Sequence, residues 1–112
     1  MAISTHILDT SRGRPAAGVA VTLEHLRGAA WAPVGSGVTD ADGRVRALWG
    51  GESVPPAGTY RIGFDVEGYF AALGTAAFYP RVEITFVVRD PAEHHHVPLL
   101  LSAFGYSTYR GS

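Results

Sequence analysis

The chain has 112 residues, 46% of them hydrophobic and 17% charged, with a formal net charge of −1 and no cysteine. That size fits one domain, residues 1–112, with a real apolar core. Near-neutrality leaves no electrostatic footprint for nucleic acid or an anionic membrane, and the missing thiols exclude disulfide and cysteine chemistry.

No apolar run reaches the roughly 18–20 residues of a membrane helix. Met1 to His6 has neither the basic region nor the apolar stretch of a secretory signal, so a cytoplasmic protein is expected. The low charged fraction favours an oligomer that covers part of its own surface.

Fourteen glycines and seven prolines cut the chain into short segments, and between them apolar residues mostly alternate, the period of a strand. Ile3 to Asp9 reads as a first strand, with His6 and Leu8 on one face and Ile7 on the other. Thr10 to Ala17, with Arg12, Arg14 and Pro15, reads as a loop. Val19, Val21 and Leu23 alternate in a second strand, and His25, near its end beside Glu24 and Arg27, is expected in solvent. A third strand covers roughly Trp31 to Val38.

Thr39 to Arg44 is a turn around Asp42-Gly43, because glycine tolerates positive φ and aspartate bonds its neighbouring backbone. Its aspartates lack the further spaced oxygens and the bidentate glutamate of a calcium loop. Arg44 and Arg46 share a parity, so the strand leaving the turn has a basic face. After a loop at Gly50 to Gly58, Tyr60, Ile62, Phe64 and Val66 alternate along an amphipathic strand. Tyr69 to Leu73 is the one segment suited to a short helix. Val82 to Val88, His94 to Ser102 and, beyond a turn at Gly105, Tyr106 to Ser112 complete the sheet material. About eight short strands and one short helix predict an all-β, antiparallel Greek-key sandwich.

Three of the five histidines stand together as His94-His95-His96 at the head of an apolar run. Strand parity puts His95, Val97, Leu99 and Leu101 toward the core, leaving His94 and His96 on the outer face. Histidines two apart on a strand can share a metal ion, but no cysteine or obvious acidic ligand completes a zinc set, so no metal is expected. Pro98 lacks an N–H, which suits an edge or a bulge. Histidines and arginines without a thiol or a metal form a set for acid–base chemistry with anion stabilisation. No nucleophile elbow, phosphate loop or dinucleotide fingerprint occurs.

Four ordered motifs go further. Thr5-His6-Ile7-Leu8-Asp9-Thr10-Ser11-Arg12-Gly13-Arg14-Pro15-Ala16, Thr39 to Arg44, His96-Val97-Pro98-Leu99-Leu100-Leu101-Ser102 and Tyr106-Ser107-Thr108-Tyr109-Arg110-Gly111-Ser112 resemble the signatures of the transthyretin-related proteins. The last is similar to the terminal signature of the 5-hydroxyisourate hydrolases rather than that of the hormone-carrying transthyretins. Ala103-Phe104 departs from the more usual Pro-Tyr, and His95 stands where an aromatic is common.

The resemblance implies a transthyretin-like sandwich assembled as a homotetramer, a dimer of dimers, with active sites opening into a channel between dimers. It implies hydrolysis of 5-hydroxyisourate to 2-oxo-4-hydroxy-4-carboxy-5-ureidoimidazoline without a cofactor. His6, Arg44 and His96 fall on the family's catalytic positions, and Tyr109, Arg110, Gly111 and Ser112 on its channel-lining tetrapeptide. One imidazole would take a proton from water as it attacks the lactam carbonyl. Arg44 would steady the oxyanion, and the other imidazole would protonate the leaving nitrogen. The rival expectation is a transthyretin-type carrier, whose channel calls for small and apolar groups instead.

Overall fold

Glycine and proline punctuation leaves room for strands of two to nine residues, and a computed structural model describing residues 2–112 arranges them in two sheets. The first holds β1 (Ile3–Asp9), β2 (Arg14–Pro15), β5 (Arg44–Val45), β8 (His95–Leu101) and β9 (Tyr106–Thr108), in the order β2-β1-β8-β9 with β5 also pairing β1. The second runs β4 (Ala30–Val38), β3 (Ala20–Arg27), β6 (Gly58–Asp65), β7 (Arg81–Val88). One short helix, α1 (Val66–Ala72), follows β6. No helix among the described residues is long and apolar enough to cross a membrane.

The all-β sandwich is as expected, with one departure from antiparallel pairing. β1 and β8 run parallel, Ile3 opposite His95 through Asp9 opposite Leu101. A parallel pair needs a long crossover, and the chain supplies it by building the whole second sheet between the two strands. β2 and β5 are two-residue pieces inside segments whose composition reads as loop and turn. Both lie along β1, where Ile7 N–H donates to the Gly43 carbonyl (2.8 Å) and Ala16 N–H to the Ile7 carbonyl (2.9 Å).

Alternation decides which side of each strand enters the core. Ile3, Thr5, Ile7 and Asp9 of β1 are fully buried, as are Leu99 and Leu101 of β8 and Val21, Leu23, Tyr60, Ile62 and Phe64 opposite them. Each such aliphatic side chain contributes about 1.5–3 kcal/mol through burial. Thr5 and Asp9 on the inner face find partners, whereas the buried His95 Nδ1 has none among the described residues. Thr5 Oγ1 donates to the Val97 carbonyl (2.7 Å). The Asp9 carboxylate accepts from Ser11 N–H, Arg12 N–H and the Tyr69 hydroxyl (2.8 Å), tying β1 to the helix.

Three local expectations need correction. The helix starts at Val66 rather than Tyr69, because the Asp65 carboxylate accepts from Gly68 N–H and caps the first turn. His25 is buried, not solvated. It continues the inward parity of Val21 and Leu23, and its ring stacks on Tyr60 with centroids 4.4 Å apart. Pro98 sits inside the sheet, between β1 and β9, rather than at an edge. The missing N–H shows on the β9 side. Regular pairing with β8 stops after Thr108, whose hydroxyl donates to the Pro98 carbonyl (2.7 Å), and returns as a bridge between Gly111 and His96.

Candidate active site

Ser4, His6, His96 and Arg44 gather on the outer face of this sheet because parity and register leave them nowhere else. Ser4 and His6 alternate with the buried residues of β1, and His96 alternates with His95 and Val97 of β8. Register sets Ser4 beside His96 and His6 beside Arg44.

Arg44 is delivered by its turn. Asp40 Oδ1 accepts the N–H groups of Asp42 and Arg44 (2.9 and 3.0 Å), which holds the Asp40 carboxyl below the usual carboxylate range. Gly43 has φ +74°, and a Cβ there would come within 2.5 Å of the Ile7 carbonyl oxygen. Only glycine lets the turn close onto β1. Among the described residues Arg44 makes no ion pair, whereas Arg46 lies 3.7 Å from Asp42. The Arg44 charge is therefore left for the site.

A cavity of about 190 Å3 opens there, lined by Ser4, Thr5, Arg44, Arg46, His94, His96 and Ser112. His6 flanks it next to Arg44 on β1. Burial and the Arg44 guanidinium both push the His96 imidazole below its ordinary value of 6.5, and the charges of His6 and His94 add to this. His6 is lowered by the same two leading causes, opposed in part by Asp42 and Asp40. Both rings are thus kept neutral near pH 7, the form in which an imidazole can accept a proton.

Ser4 was invisible to motif reading. Its hydroxyl oxygen lies 2.8 Å from His94 Nε2 and 2.7 Å from His96 Nδ1. The only signal in the sequence is parity, two residues before His6 on the same face. With His96 Nδ1 engaged by Ser4, its Nε2 is the atom free to do chemistry. His94 and His96 share this hydroxyl, and no group of three or more potential metal ligands forms among the described residues.

The terminal tetrapeptide divides. Gly111 N–H donates to the His96 carbonyl (2.9 Å), and a Cβ on Gly111 would stand 2.5 Å from His96 Cδ2 and 3.1 Å from Pro98 Cγ. The tail can lie against the His96 ring only through a glycine. Ser112 then reaches the cavity wall. Tyr109 and Arg110 border a second, mostly apolar cavity with Ile84, Phe86, His95 and His96. Tyr109 is 59% exposed, and Arg110 Nη2 lies 3.7 Å from Glu93. Within one chain, then, His96 borders both cavities, sharing one with Ser112 and the other with Tyr109 and Arg110.

Known proteins match this arrangement over almost its full length. The 5-hydroxyisourate hydrolase of Salmonella typhimurium is 46% identical over 110 residues, covering 98% of this chain and 80% of that protein. A structure of the 5-hydroxyisourate hydrolase of Klebsiella pneumoniae superposes with a TM-score of 0.84 at 40% identity, covering 98% of each chain. Sea bream transthyretin in complex with thyroxine superposes with a TM-score of 0.91 at 33% identity, over 99% of this chain and 95% of that one. The signature of the HIUase/Transthyretin family runs through residues 3–111, and the chain belongs to that family.

Proposed function

We propose that this protein hydrolyses 5-hydroxyisourate to 2-oxo-4-hydroxy-4-carboxy-5-ureidoimidazoline, a step of urate degradation. The observation that carries the reading is the convergence of two imidazoles kept neutral, His6 and His96, on one unpaired guanidinium, Arg44. The fold alone does not separate a hydrolase from a carrier, since a thyroxine-bound transthyretin superposes on it well. The lining does. Imidazoles, guanidinium and hydroxyls suit a polar ring that must be hydrolysed and poorly suit an apolar ligand. The names of the relatives favour the same side.

In the mechanism, one imidazole draws a proton from water as the oxygen attacks the lactam carbonyl. Arg44 binds the ring and stabilises the developing oxyanion. As the C–N bond breaks, the other imidazole, neutral at the start, takes the proton of the newly added hydroxyl and passes it to the leaving nitrogen, leaving a carboxylate. No cofactor enters.

The catalytic unit is a homotetramer, a dimer of dimers formed by single-domain chains. The exposure of Tyr109 and the low charged fraction of the chain support this assembly. Tyr109 and Arg110 then meet substrate where subunits adjoin, and Gly111 and Ser112 do so within the chain. The expected compartment is the cytoplasm.

The test is direct. 5-Hydroxyisourate generated with urate oxidase is followed by its ultraviolet decay with and without the protein, and native mass spectrometry reads the assembly. Decay at the spontaneous rate would overturn the enzyme reading, and a monomer with full activity would overturn the tetramer.

A further inference from the structure

We propose that Ser4 and His94 form, with His96, a proton relay that makes His96 the base of the reaction and returns its proton to solvent. The inference rests on the hydrolase reading above and deepens it. Ser4 is a positioning residue and His94 the outlet.

The geometry allows two coupled arrangements. A serine hydroxyl has one proton and two lone pairs, and here two ring nitrogens compete for it at 2.8 and 2.7 Å. In one state His96 Nδ1–H donates to Ser4 Oγ while Ser4 O–H donates to His94 Nε2. His96 Nε2 then carries a lone pair, the form a base requires. In the other state His94 Nε2–H donates to Ser4 Oγ, Ser4 O–H donates to His96 Nδ1, and His96 Nε2 carries the proton. In both of these arrangements the two neutral rings share a tautomer, whereas opposite tautomers would have both rings donate to Ser4 Oγ and break the relay. Ser4 is only 7% exposed, with both ring nitrogens within hydrogen-bonding distance of its hydroxyl, while His94 is exposed.

The reaction needs such an exit. Hydrolysis of the lactam at neutral pH yields a carboxylate and an N–H on a urea-type nitrogen too weakly basic to hold a further proton, so one proton must leave the site per turnover. When His96 Nε2 takes a proton from water, His96 becomes an imidazolium. Its Nδ1 proton passes to Ser4 Oγ as the Ser4 proton passes to His94 Nε2. His96 is left neutral, and His94, now the imidazolium, loses its Nδ1 proton to solvent. Charge and protons balance without a further reactant, and the starting tautomers return once product leaves: His94 Nδ1 takes a proton from solvent, the Ser4 protons shift back, and His96 Nε2 releases its proton to water entering the cavity. Arg44 assists by disfavouring a lasting positive charge on His96.

The test uses Ser4→Ala, Ser4→Thr and His94→Ala in the full chain, with thermal melting to establish that each folds. The parent and His96→Asn are assayed first, so that loss of the hydrolase reading is told apart from loss of the relay. Ser4→Ala and His94→Ala should each lower kcat by at least about tenfold with KM little changed, within the range of general acid–base effects. Ser4→Thr, which keeps the hydroxyl, should recover more than Ser4→Ala. Added imidazole should restore His94→Ala, and the curved dependence of kcat on deuterium fraction in the parent should become linear in Ser4→Ala.

Nitrogen-15 spectra of the rings supply a readout independent of turnover, because His94 and His96 should share a tautomer in the parent and lose that agreement in Ser4→Ala. Parent-like kcat in Ser4→Ala or His94→Ala, no rescue by imidazole, or opposite tautomers in the parent would each overturn the relay.

Discussion

On the inner face of β1 and β8, Thr5, Asp9 and His95 are sealed among Ile3, Ile7, Val97, Leu99 and Leu101; one residue along each strand, Ser4, His6, His94 and His96 turn outward beside Arg44. The same contrast separates the histidines of the two sheets. His96 is half-buried with a hydroxyl on Nδ1 and a free Nε2. His25, in the second sheet, is stacked on Tyr60 and accepts from Arg27 Nε at Nδ1 (3.2 Å). Both rings are pushed below 6.5, by burial first and a neighbouring arginine second. The same two leading perturbations thus act on a ring that faces a cavity and on one that faces the core. A depressed pKa does not by itself mark a catalyst.

The sharpest way to break this comparison is to remove the outward imidazoles. His96→Asn or His6→Asn should cost roughly 10^2–10^4 in kcat, measured by ultraviolet decay of 5-hydroxyisourate. Variants within a few-fold of the parent would remove both residues from the mechanism. His25→Phe should keep its stacking on Tyr60 and leave kcat near that of the parent.

Arg44→Ala comes next, with kcat/KM expected to fall by about 10^2–10^3, the scale of a lost oxyanion donor. The same change has a spectroscopic consequence. Arg44 lowers both imidazoles, so proton NMR titration should show His6 and His96 moving up in Arg44→Met while His25 stays where it was. The base must be neutral, so the acid limb of kcat/KM in the parent should lie below pH 6.5 and move to higher pH in the variant.

Gly111→Ala should reduce turnover by about tenfold or more, on the argument that small misplacements of a catalytic group are costly. The new methyl would stand 2.5 Å from His96 Cδ2 and must turn that ring or lift the tail. Because β9 ends at Thr108, melting temperature should change little. A large loss of stability with intact kcat would contradict this.

The smallest effect belongs to acid stability. A histidine held below its unfolded value contributes stability that is complete above pH 6.5 and is lost as pH falls through 6.5 toward the folded value. His6 and His96 act in the same direction. His25→Phe should therefore make melting temperature fall less steeply between pH 7.5 and 5, without abolishing the slope. An unchanged slope would mean that His25 does not titrate across that range.

Much of this was legible in one dimension. Strand parity separated His95 from His94 and His96, and the motifs around His6, Arg44 and His96 indicated the chemistry. Parity also carried the burial of His25, two residues beyond Leu23, but its charged neighbours Glu24 and Arg27 argued for solvent. Glu24 alternates outward and meets Arg61 at 2.8 Å, and the exposed Arg27 at the strand end turns its Nε back to His25 Nδ1, so neither charge keeps the ring in solvent. The tail follows His96, but not as one continuous strand: regular pairing breaks opposite Pro98, and His96 shares one cavity with Ser112 and another with Tyr109 and Arg110.

Local alternation is a property of the chain, since successive side chains of any strand point to opposite faces, so the inner and outer sets could be assigned from residue order alone. Which strands become neighbours is not local. The parallel match of β1 with β8 joins residues about ninety positions apart, and it sets Ser4 between His94 and His96. The two-residue contact of β5 with β1 does the same for Arg44 and His6. Both depend on the folded core bringing distant backbones within hydrogen-bonding reach, and for that reason the Ser4 hydroxyl beside the His96 imidazole appears only in three dimensions.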